Sequence, residues 1–71
     1  MNSEVLLNAV RDHMKGKISY HRANIEVYLS NPAGIGEHPD IVESIESELE
    51  KLSHASEILE TLEKYFDVKD S

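Results

Sequence analysis

The chain contains no cysteine, which excludes disulfide staples and thiolate metal centres and leaves the redox compartment open. It contains few backbone breakers, three glycines and two prolines in 71 residues, and all but Gly16 fall inside one block, Asn31-Pro32-Ala33-Gly34-Ile35-Gly36-Glu37-His38-Pro39-Asp40. It has no apolar run approaching the roughly 20 residues that a membrane span requires. Met1-Asn2-Ser3-Glu4 has no basic region ahead of an apolar stretch, so a soluble, cytoplasmic protein without a leader or membrane contact is expected. It also lacks a basic excess. Fourteen acidic residues against seven basic ones give a formal charge of -7, which repels phosphate backbones and anionic lipids, and nucleic acid is not an expected ligand.

What remains is helical periodicity on both sides of a single break. Asn2 or Ser3 can cap a first helix whose apolar face is Leu7, Val10, Met14, Ile18, His21, Ile25 and Tyr28, in steps of three and four. Glu4, Asn8, Asp12, Lys15, Ser19, Arg22 and Glu26 collect on the opposite side. This helix is expected over about residues 3–30, because Pro32 pushes Asn31 out of the helical region. Gly16 is an exception inside it. A mid-helix glycine costs about 1 kcal/mol relative to alanine, so it marks either the close approach of another backbone or a weak point. After a loop at 31–38, a second helix is expected over about 39–66, with Pro39 at its first position and Asp40 in its first turn. Its stripe is Ile41, Ile45, Leu49, Leu52, Ala55, Leu59, Leu62 and Phe66, flanked by Val42, Ile58 and Tyr65.

The fold class that follows is all-α, a single-domain antiparallel two-helix hairpin. Folding the helices together pairs positions whose numbers sum to about 69, so that Tyr28 meets Ile41, Ile18 meets Leu52, Met14 meets Ala55, Val10 meets Leu59 and Leu7 meets Leu62. Each apolar arc covers close to half a circumference, wider than a two-stranded seam uses. Two helices cannot enclose a full core, and a homodimer of two hairpins forming a four-helix bundle is therefore expected.

Several polar residues occupy mid-length positions within these arcs: His13, Lys17, Tyr20, His21 and Asn24 on the first helix, with Glu48 opposite His21 on the second. A buried glutamate requires a cationic or hydrogen-bonding partner, which makes Lys17, Tyr20, His21 and Glu48 the candidate binding residues. The first reading of this layer, however, is a structural device that fixes register and oligomeric state. No histidine has a glutamate three residues before it, so a carboxylate-bridged di-metal site is not expected, and neither a catalytic triad nor a phosphate-binding glycine loop is present. Neither a cofactor nor a resident metal is expected. Glu43, Glu46, Glu60, Glu63 and Asp67 offer the hard oxygens of a magnesium-dependent hydrolase, although such spacing also describes a solvated helix face.

In the break, Ile35 between two glycines can fold back over the hairpin end, with Glu37 and His38 held beside it as candidate loop contacts. The run Asn24-Ile25-Glu26-Val27-Tyr28-Leu29, continued by Asn31 to Ile41, resembles a stretch of small uncharacterised helical-hairpin proteins of tailed bacteriophages, particularly those of marine cyanobacteria. The resemblance implies a phage origin, a small accessory gene product and a place in the host cytoplasm, and it supplies no functional residues. The expected function is a non-enzymatic, oligomerising interaction module that binds itself and a host or virion protein. The alternative is a small bundle metal binder or magnesium-dependent hydrolase built around the Glu/His layer.

Overall fold

The computed structural model describes residues 2–30 and 40–66, which form two α-helices, α1 (Ser3–Leu29) and α2 (Ile41–Phe66), with no strand among the described residues. Asn2 caps α1. Its Oδ1 accepts the Glu4 N–H at 2.8 Å, and its carbonyl accepts from Val5 and, as the first regular helix bond, from Leu6, so two of the otherwise unpaired first-turn donors are satisfied. At the other end the Ser30 N–H donates to the Glu26 carbonyl and its hydroxyl to the Val27 carbonyl, closing the last turn one residue short of the expected limit. In the second segment the helix is described over Ile41–Phe66, and Pro39 lies outside the described residues. The Asp40 carbonyl accepts the Ser44 N–H at 2.9 Å, which gives Asp40 the capping place ahead of the helix and not a place inside its first turn. Ile35, Glu37 and His38, with the rest of the expected loop, lie outside the described residues.

The helices run antiparallel in a rod of 51 × 18 × 16 Å, and His21 faces Glu48, a pair whose numbers sum to 69. A line of half-buried and buried positions descends each helix in alternating steps of four and three: 7, 11, 14, 18, 21, 25 and 28 on α1, and 41, 45, 48, 52, 55, 59 and 62 on α2, with 8, 17, 24, 44 and 58 half-buried beside it. This is the seam of an antiparallel coiled coil. Two stripe residues expected from the sequence are displaced by it. Val10 and Leu49 are exposed, and Arg11 and Glu48 hold their places. The reason is the seven-residue step. Ile45 and Leu52 fix the seam, and of the two positions between them that can face α1, Glu48 finds hydrogen-bond partners there while Leu49 turns to the flank. Phe66, the last expected stripe residue, is exposed at the helix end.

The enclosed core is small. Met14, Ile41, Ala55 and Leu62 are the buried hydrophobic side chains, and only Ala55, at 1%, loses nearly all its exposure. The radius of gyration is 15.7 Å, where a compact domain of this length has about 11 Å. The accessible surface is 5417 Å², roughly 950 Å² more than the 4,450 Å² or so that folded monomers of 8.0 kDa expose.

Candidate functional site

At mid-length the seam changes from apolar to polar. His21 is buried on α1, one turn before Asn24, and both reach across to Glu48 on α2. The His21 Nδ1 lies 2.6 Å from one carboxylate oxygen of Glu48, and the Asn24 amide donates to the other at 3.1 Å. The side chains of His21 and Glu48 retain 8% and 13% of their exposure. With both oxygens engaged, the hydrogen bond from His21 holds the Glu48 carboxyl below its ordinary value of 4.5, against the opposing effect of burial and with further help from Asn24. Among the described residues no buried side-chain donor or acceptor lacks a partner, so the layer is self-satisfied.

Lys17 and Tyr20, expected in the same layer, lie beside it without joining its hydrogen bonds. Tyr20 is 63% exposed, with its ring edge-on to His21 at 5.0 Å. Both residues line an open groove of about 780 Å³ along one side of the seam, together with His21, His13, Gly16, Lys51 and His54. Asp12 and Glu50 line it as well, and Asp12 is held by Arg11 at 3.0 Å. A second groove of about 420 Å³ continues toward the end where Val10 faces Ile58 and Leu62. Of the four candidate binding residues, His21 and Glu48 join Asn24 in the seam, and His21 also lines the groove with Lys17 and Tyr20. The contribution of Asn24 follows from its place three residues beyond His21, which brings both onto the level of one glutamate.

The chemistry open to the cluster is limited by its own pairing. A carboxylate bound by a histidine and an amide orients that histidine, yet no serine or threonine hydroxyl among the described residues is hydrogen-bonded to His21 to serve as a nucleophile. Among the described residues no three His, Asp or Glu side chains come together as metal ligands. Glu43, Glu46, Glu60 and Glu63 are all exposed and spread along α2, and Asp67 lies outside the described residues. No described helix is long and apolar enough to cross a membrane. No protein-family model matches the chain, and neither a curated protein nor a solved structure is similar to it.

Proposed function

We propose that this chain is a non-enzymatic interaction module that assembles with itself, two hairpins packing into a four-helix bundle. The observation that supports this reading is an aliphatic face left open on one side of the seam. Ile18 and Ile25 of α1 and Ile45, Leu52 and Leu59 of α2 are only half-buried along it, and Leu29, Val42 and Leu49 are exposed beside them. An exposed apolar face of this length, on a chain with roughly 950 Å² of surplus surface, matches the 800 Å² or so that each partner contributes to a standard interface.

A second copy is the occupant that fits best. On this side the rim of α1 carries Lys15, next to the seam residue Arg11, and at the same end of the rod the rim of α2 carries Glu60 and Glu63. A twofold axis running along the bundle lays each α1 over the α2 of the other copy, aliphatic on aliphatic and basic rim beside acidic rim. The His21–Glu48–Asn24 layer then acts as the register key: any slip of the seam leaves a carboxylate and an imidazole buried against leucine and isoleucine.

Leu49→Glu tests the reading, because Leu49 is 47% exposed in the single hairpin and central in the proposed contact. Burial of an unpaired carboxylate weakens association by about 100-fold or more, while the helix content of the chain is retained. Sedimentation of this variant at the same mass distribution as the parent would remove the aliphatic face from the account.

A further inference from the structure

The groove beside His21 opens on the side of the seam opposite the aliphatic face. Its lining flanks Met14 and His21 on α1 and Glu48 and Ala55 on α2, whereas the aliphatic face runs along Ile18, Ile25, Ile45, Leu52 and Leu59. On the groove side three pairs stand level beside the seam, each with numbers that sum to 68: Val10 with Ile58, Lys17 with Lys51 and Asn24 with Ser44. Positions that flank a coiled-coil seam ordinarily join opposite charges across it, and facing ammonium groups repel. Neither lysine is tied in an ion pair among the described residues. Asp12 is already held by Arg11, which leaves Glu50 on the groove wall to oppose them. The fold alone gives no reason for this pair, whereas an anion held between the two helices does.

A second observation points into the same place. His21 is only 6% exposed, and its Nδ1 is engaged by the Glu48 carboxylate, so this nitrogen carries the proton. The other ring nitrogen, Nε2, has no hydrogen-bond partner among the described residues. Because no buried side-chain nitrogen or oxygen lacks a partner there, Nε2 is open, and the groove that His21 lines is where it opens. Lys17 stands one turn before His21 on α1, which sets its ammonium group and Nε2 on one wall, with Lys51 facing them from α2. We infer that this groove binds a small phosphomonoester. Three terminal oxygens can engage both ammonium groups and Nε2 together, where a carboxylate has two. Phosphate also suits the histidine in either protonation state: the dianion accepts from an Nε2–H, and the monoanion donates its P–OH to a bare Nε2. The formal charge of -7 repels a polyanion laid along the seven acids of α2, but not one phosphate placed between two lysines. A groove of about 780 Å³ has room beyond the phosphate for the organic part of an ester. Gly16 stands in its wall, and a Cβ there would meet nothing within 4 Å, so the space the glycine leaves belongs to the groove and not to the packing of the chain. The inference does not depend on self-assembly, because groove and aliphatic face lie on opposite sides of the seam.

Phenyl phosphate and inorganic phosphate, titrated into the native chain at constant ionic strength, test it through the side-chain nitrogen resonances of His21. A saturable shift of Nε2 is expected with both probes, and about tenfold tighter binding of phenyl phosphate, whose ring is sheltered in the groove. Lys51→Glu turns the facing pair into one of opposite charge. It is expected to keep or raise the melting temperature while weakening both probes by about tenfold or more, so lost binding is not lost folding. Gly16→Leu fills the groove with a residue that favours the helix and is expected to remove the preference for the ester. A shift that never saturates, or one that persists unchanged in Lys51→Glu, would overturn the inference. Equal affinity of the native chain for the two probes would overturn the choice of an ester.

Discussion

Replacing Gly16 with alanine tests whether the hairpin needs the glycine. Within the hairpin the substitution is pure gain: alanine is favoured over glycine by about 1 kcal/mol in a helix interior, and the new methyl enters open space. For a chain of this size, 1 kcal/mol raises the melting temperature by about 4–8 °C. That increment is expected in thermal unfolding followed by helical circular dichroism. A loss of stability in Gly16→Ala would refute the reasoning, because it would mean that glycine is needed at this position.

Three further outcomes follow from the seam. Leu62→Ala removes a buried leucine from one end of a small core and is expected to destabilise the hairpin by about 2–3 kcal/mol in urea titration, far more than an alanine at the exposed Val5. Because the carboxyl of Glu48 is depressed by its bond to His21, the unfolded chain takes up its proton first as the pH falls. The stabilisation contributed by Glu48 is therefore fully present above the ordinary carboxylate value of 4.5 and is lost as the pH falls below it, and Glu48→Gln is expected to reduce the decline seen in urea titrations between pH 3 and 6. Glu48→Leu leaves His21 and Asn24 without their acceptor, and His21→Leu leaves the carboxylate held by Asn24 alone, so each destabilises, whereas replacing His21, Asn24 and Glu48 together by leucine recovers stability but loses the fixed register, seen as broadened amide spectra.

The hairpin and its register were legible from spacing alone. Alternating three- and four-residue steps on both sides of one Pro- and Gly-containing break admit few other arrangements, and the pairing of His21 with Glu48 was fixed once residues summing to 69 faced each other. The rotation of each helix was less legible. At 100° per residue, Glu48 and Leu49 lie on either side of the line through Ile45 and Leu52, and hydrophobicity alone favours the leucine. The choice of glutamate depends on His21 and Asn24 both waiting on α1, a three-body condition that one-dimensional spacing does not express. Tyr20 shows the same limit. A wide apolar arc on a sequence wheel merges the seam with its flank, and only the observed exposures separate a tyrosine that packs inward from one that lines the groove beside His21.

The central claim is that one hairpin leaves too much apolar surface open to stand alone. Sedimentation equilibrium across a concentration range from about 1 to several hundred micromolar tests it most directly. The account predicts a mass of at least twice the 8.0 kDa chain over most of that range, with Leu49→Glu shifting the equilibrium toward the single chain. A cooperatively folded species of 8.0 kDa at every concentration would contradict it.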